Sequence, residues 1–200
     1  MIRNLLALAA LTLFAASSPA GKFNKVLNVG DAAPEWKDLE GTDGKKHSSA
    51  DFAGKDVVVV VFTCNSCPVA QGYEERIAAF AKQHAGPESK VAVVAINVNT
   101  IKEDSMPEMV KRAEKRKYTY PYLHDPSQEI AKKFGATITP EFFVLNKDRK
   151  VAYMGALDDK SPPADATTPY LEAAVKAALD GKSATETETN ARGCKIRFAR

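Results

Sequence analysis

Cysteine is scarce in this chain. Three residues in 200 are too few for a small scaffold stapled by disulfides. Histidine is equally sparse. His47, His84 and His124 lie far apart in sequence, and each reads as an ordinary surface or core residue rather than a metal ligand. Charge of one sign is not in excess either. A formal balance of +3 gives no argument for nucleic acid, and the one basic run, Lys111 to Lys117, reads as a solvated helix face. There are no internal repeats. The longest apolar run at the start of the chain, Leu5 to Ala16, falls short of the ~20 residues that span a bilayer. It follows Arg3 and precedes the small residues Ser18-Pro19-Ala20. Residues 1–20 are therefore expected to be a signal peptide cleaved after Ala20, placing the protein outside the cytoplasm, periplasmic or secreted. No membrane span is expected once it is removed.

What the chain does contain is a dithiol in a telling place. Val57 to Phe62 are six consecutive apolar residues, mostly β-branched, the pattern of a strand buried on both faces. Cys64 and Cys67 follow at once. Val69, Tyr73, Ile77 and Phe80 then recur at helical spacing. A strand thus feeds a helix through a CxxC pair, where unpaired backbone N–H groups and the helix dipole favour a thiolate. Cys64 is expected to be the exposed sulfur with the lowered pKa. Pro68 disfavours helical geometry at Cys67, so the helix is expected to begin at Pro68 with both cysteines in its entry loop.

The remaining punctuation organises the chain. Turn residues between Gly21 and Lys55 suggest a β-hairpin ahead of the main sheet. Val91 to Val98 reads as a second buried strand. Ser105 with Glu108 reads as a capping box for the helix after it. Tyr122 to His124 is a short strand, with Asp125, Pro126 and Gln128 set to open a helix ending at Gly135. Thr139-Pro140 leads to a strand over Phe142 to Leu145, a turn, a strand over Val151 to Met154, and a last helix after Thr168-Pro169. Residues 21–183 are expected to be one α/β domain, a βαβ half followed by a ββα half. Residues 184–200 are expected to be a linker and tail. Ser183 to Asn190 is Thr/Glu-rich without apolar pattern and reads as mobile. Cys194 leaves two readings open. It is a spare thiol on a loose tail, or the alternation of Ile196 and Phe198 with charged residues marks a strand that folds back towards the dithiol.

A strand–CxxC–helix start, a Thr-Pro before a later strand and a closing ββα unit resemble the thioredoxin fold. VGDAAPEW, FTCNSCPVAQGYEERI, VVAINVN, the stretch from YPYLHDPSQ to MGALDD, and GCKI resemble more closely the thioredoxin-like, peroxiredoxin-like redoxins of AhpC/TSA type. The resemblance implies a central mixed sheet flanked by helices, with an N-terminal hairpin extension. It also implies a cis Thr139-Pro140 bond packed on the dithiol, with backbone offered to an incoming peptide. Cys64 would be the attacking thiol, and Cys67 would resolve the mixed disulfide. The chain departs from the pattern in several places. Val60 and Cys64 stand where peroxiredoxins carry the Pro and Thr of their cysteine signature, and Pro140-Glu141 where they carry an arginine. Val58 stands where thioredoxins keep a buried carboxylate. Glu141 is the candidate to carry protons in its place, against the plainer reading of a solvent-facing loop carboxylate.

The function implied is that of an exported thiol–disulfide oxidoreductase working through Cys64 and Cys67 with Thr139 and Pro140. It would need no cofactor or metal, and its partners would be protein or small-molecule disulfides and a thiol-donating reductase. A thiol peroxidase with antioxidant activity is the first alternative. Copper handling is a lesser one, since it would need a dedicated histidine near the cysteines.

Overall fold

Val57–Phe62 sits at the centre of the sheet with all six residues buried. The computed structural model describes residues 21–160 and 166–199, so the expected signal peptide lies outside the described residues. In chain order, β1 (Leu39–Gly41) and β2 (Lys46–His47) form the expected hairpin. The first half continues with β3 (Val57–Phe62), α1 (Pro68–Gln83), β4 (Val91–Asn97), α2 (Met106–Arg116), β5 (Tyr122–His124) and α3 (Glu129–Phe134). The second half contains β6 (Ile138–Thr139), β7 (Glu141–Leu145), β8 (Val151–Gly155) and α4 (Tyr170–Leu179), and the short β9 (Cys194–Lys195) closes the chain.

Seven strands form one mixed sheet in the order β2-β1-β5-β4-β3-β7-β8. β3 runs parallel to β4 and antiparallel to β7. Because side chains alternate along a strand, β3 feeds two cores. Val57, Val59 and Val61 pack with Tyr73 and Ile77 of α1, Met109 of α2, and Leu171 and Val175 of α4. Val58, Val60 and Phe62 pack with Ile130 and Phe134 of α3 and with Ile196 of the tail. Each of these valines is worth about 1.5–3 kcal/mol when fully buried, which fixes the end of β3, and hence the dithiol, against the sheet. Among the described residues no helix is long and apolar enough to cross a membrane.

Three local expectations are corrected. Ser105 is the N-cap of α2, but its side chain makes no capping hydrogen bond. Glu108 is drawn instead to Lys111, one turn on. Asp125 does not start α3 directly. Its carboxylate accepts the N–H groups of Ser127 and Ile130, and the helix begins only after Gln128, which is left-handed at φ 63°. Ser183 to Asn190 is not a free linker. Met154 N donates to Thr187 O and Thr189 N to Met154 O, the Thr189 hydroxyl bonds the Tyr153 hydroxyl at 2.6 Å, and the Glu188 carboxylate accepts the N–H groups of Lys22, Phe23 and Asn24. Gly155, at φ 137°, lets this strap approach, since a Cβ there would overlap the Thr189 carbonyl. Polar side chains and a backbone ladder hold the segment, so an apolar pattern could not announce it.

Candidate active site

The helix begins where Pro68 dictates. Cys67 is the N-cap of α1 in an extended conformation, and its Sγ accepts the N–H of Ala70 at 3.3 Å. It is thus Cys67 whose sulfur reaches the unpaired donors at the helix start. Cys64 lies three residues earlier and reaches only the N–H of the cap residue Cys67 itself. The expectation of an exposed, acidified Cys64 is corrected. Its thiol is 3% exposed, and burial above all, followed by the negative charge of Asp104, pushes its pKa up from the ordinary 9.0. Hydrogen bonds with the Thr139 and Ser66 hydroxyls act in the opposite direction without prevailing.

The third cysteine completes the site. Cys194 is bonded to Cys67, closing a sequence separation of 127 residues, and Cys64 is the free thiol. Of the two readings of the tail, the structure takes the folded-back one. β9 pairs antiparallel with β6, Thr139 opposite Cys194. The Thr139-Pro140 bond is cis, as the resemblance implies. Thr139 stands between the sulfurs. Its hydroxyl is 3.2 Å from Cys64 Sγ, and its carbonyl oxygen is 3.4 Å from Cys67 Sγ. The latter contact can become a hydrogen bond only when Cys67 is a thiol, because a disulfide sulfur has no proton to donate.

Two buried carboxylates flank this arrangement. Asp104, just before α2, is fully buried. It accepts the N–H groups of Asn65 (2.6 Å) and Ser66 (3.2 Å), the Ser66 hydroxyl (2.6 Å) and the side-chain amides of Asn97 and Asn99 (both 3.1 Å). These bonds pin the two residues between the cysteines. The Ser66 hydroxyl lies 3.8 Å from Cys64 Sγ, linking the carboxylate to the buried thiol. Nothing local in the sequence marks Asp104, which stands 38 residues beyond Ser66. Glu141 is not the solvent-facing loop residue expected. It is 8% exposed, and its carboxylate accepts the N–H groups of Thr137 (2.9 Å) and Ile138 (3.3 Å). Burial raises its pKa to about 7, against the lowering effect of those two bonds.

The histidines stand in other company. His47 bonds Asp43, the His84 ring packs on Phe80, and His124 Nε2 contacts Asn99 O. Among the described residues no group of three His, Cys, Asp or Glu side chains is arranged to hold a metal ion.

Asp104 offers a direct test. Asp104→Asn keeps the shape and removes the charge that disfavours the Cys64 thiolate, so the Cys64 pKa should fall. The pH dependence of alkylation of oxidised protein reads it, since Cys64 is the free thiol there. An unchanged or higher pKa would show that the carboxylate does not act on the sulfur.

The Redoxin family matches residues 28–173. A hypothetical protein from Sinorhizobium meliloti shares 33% identity over 88% of this chain and 97% of its own, with a TM-score of 0.80. An uncharacterised conserved protein from Geobacillus kaustophilus shares 32% over 88% and 95%, also at 0.80. A thiol:disulfide interchange protein of the thioredoxin family from Chlorobium tepidum shares 23% over 75% and 97%, at 0.58, a likeness of fold. No curated protein is significantly similar to the chain. With its mixed sheet, CxxC loop and cis Thr139-Pro140 laid out as in the thioredoxin-like fold, this chain belongs to the Redoxin family.

Proposed function

We propose that the protein is an exported thiol–disulfide oxidoreductase in which Cys67 forms the bonds to other thiols. The observation that carries this reading is the convergence of three cysteines on Thr139, with Cys67 at the helix start already bonded to Cys194 and the Cys64 thiol alongside. An incoming thiolate attacks Cys67 Sγ, the Cys67–Cys194 bond breaks, and Cys194 leaves as a thiolate that takes a proton from solvent. The substrate's second thiolate then attacks the substrate sulfur of the mixed disulfide, and Cys67 leaves as a thiolate. Two thiols are oxidised to a disulfide while the Cys67–Cys194 bond becomes two thiols. In reverse, substrate disulfides are reduced at the expense of a thiol-donating reductase. The N-terminal segment up to Ala20 and a disulfide that persists in oxidising compartments support the exported setting. The Chlorobium tepidum protein, a thiol:disulfide interchange protein by its name, supports the chemistry.

This assignment exchanges the roles expected of the CxxC pair. It keeps Cys64, Cys67, Thr139 and Pro140 as the site and adds Cys194. Insulin-disulfide reduction by the full chain tests it. Cys67→Ser should reduce turnover to the uncatalysed rate, whereas Cys64→Ser and Cys194→Ser should each retain the ability to form a mixed disulfide. Turnover surviving in Cys67→Ser would refute the assignment.

A further inference from the structure

The tail is held by contacts that would hold any extended chain. Ile138 pairs with Lys195 and Thr139 with Cys194, and Ile196 N donates to Thr137 O at 2.8 Å. Further along, the Gln128 side chain acts as a surrogate strand, donating to Arg197 O at 3.0 Å and accepting Ala199 N at 2.7 Å. Gln128 is 1% exposed and left-handed at φ 63°, an uncommon conformation for a residue other than glycine. Without a chain on this edge its carboxamide oxygen would lose the Ala199 N–H. These are backbone contacts and carry no sequence information.

The side chains supply the selectivity. A Cβ at Gly193 would overlap the Thr139 carbonyl, so the position before the cysteine takes only the smallest residue. Two residues after the cysteine, Ile196 is buried in the same core as Phe134 and Phe143. Lys195 and Arg197 between and beyond are exposed. The edge therefore reads a small residue, a cysteine, any residue and an aliphatic one.

We infer that the tail is an in-cis stand-in for a substrate. When the Cys67–Cys194 bond opens, the β6 edge takes up an extended protein segment with glycine before its cysteine and an aliphatic residue two positions after. The inference rests on disulfide exchange at Cys67 and names its substrate class. In the step itself the Cys67 thiolate attacks the cysteine sulfur of the segment's disulfide. The former partner sulfur leaves as a thiolate, and the segment remains bonded to Cys67 in the register of β9.

The test uses the full chain carrying Cys64→Ser and Cys194→Ser, so that Cys67 alone reacts. Its substrates are peptides of the tail sequence Arg-Gly-Cys-Lys-Ile-Arg-Phe, activated as the thionitrobenzoate mixed disulfide. The leaving group is common to all peptides, so differences in capture rate report docking. The tail sequence should be captured roughly ten- to a hundred-fold faster than versions with valine for the glycine or aspartate for the isoleucine. Equal rates for the three peptides, with normal exchange against free dithiobis(nitrobenzoate), would overturn the edge proposal and leave exchange at Cys67 standing. Failure with that small disulfide as well would overturn both. A dimer of the wild-type chain linked on reoxidation through Cys67 of one copy and Cys194 of the other, shown by mass mapping, would assign the edge to the tail of a second copy and overturn the substrate reading.

Discussion

Opening the Cys67–Cys194 bond is expected to lower the free energy of unfolding by about 3–5 kcal/mol. The bond closes a separation of 127 residues, and in the chain-entropy account the effect grows with the logarithm of the loop it forbids to the unfolded chain. Every element from α1 to α4 lies inside that loop, while β1, β2 and β3 precede it. Two further contributions act in the folded state. Ile196 is buried in the core that contains Phe134, and Gln128 binds the backbone of Arg197 and Ala199. Both depend on the tail staying in place. Cys194→Ser should reproduce the loss, whereas Cys64→Ser, which breaks no bond, should cost far less. Urea unfolding of oxidised wild type against Cys194→Ser measures it, with a fall in melting temperature of about 10 °C as the calorimetric counterpart. A difference under about 1 kcal/mol would mean that the unfolded chain is not held by the bond and that the tail is docked without its help. By linkage, whatever the bond adds to the fold, the fold adds to the bond's resistance to reduction.

Much of the frame is legible in the residues because it is written in period and punctuation. Six consecutive apolar, mostly β-branched residues read as a central strand, and β3 is one. Pro68 restricts its predecessor, and α1 begins there with Cys67 as its cap. The strap over residues 183–190 escapes a reading by hydropathy for a physical reason. It contributes hydrogen bonds through Thr189, Glu188 and its own backbone, and these leave no mark in an apolar pattern. The capping motif at Ser105 fails because a pattern of four residues states what a side chain can do, while Lys111 offers Glu108 a charged partner instead.

The candidate site divides along the same line. CxxC spacing places two sulfurs at a helix entrance but cannot say which of them reaches the helix donors. That depends on the helix starting one residue after Cys67 rather than at Cys64. Asp104 meets the CxxC loop only through the packing of separate elements on the sheet, and no local pattern encodes a contact 38 residues away in the chain. Cys194 is half visible. The alternation of Ile196 and Phe198 announces a strand, yet the edge it joins is created by the backbone of Ile138 and Thr139, which has no sequence signature beyond the Thr-Pro pair. Gln128 reads as a capping partner and serves instead as a clamp for that strand.

Glu141 should make the fold less stable as pH rises through neutrality, a direction opposite to that of most carboxylates. Its ordinary pKa of 4.5 is raised to about 7 in the folded protein, chiefly by burial. Between those values the folded protein holds a proton that the unfolded chain has released, so stability falls as pH increases across that window. The contribution is fully present below pH 4.5 and is lost as pH passes about 7. At about 1.4 kcal/mol per pKa unit, the difference amounts to roughly 3 kcal/mol. Little of it is screened, because the side chain is 8% exposed. Glu141→Gln retains an oxygen for the N–H groups of Thr137 and Ile138 and removes the titration. Unfolding free energies of the oxidised proteins at acidic and alkaline pH should therefore diverge, the wild type losing about 2.5 kcal/mol relative to the variant between about pH 5 and pH 8. The effect bears on the site, since the two amides that Glu141 holds lead directly into Thr139 and the edge that carries Cys194. Parallel curves for the two proteins would mean that Glu141 is ionised throughout, and that water reaches a carboxylate the fold otherwise encloses.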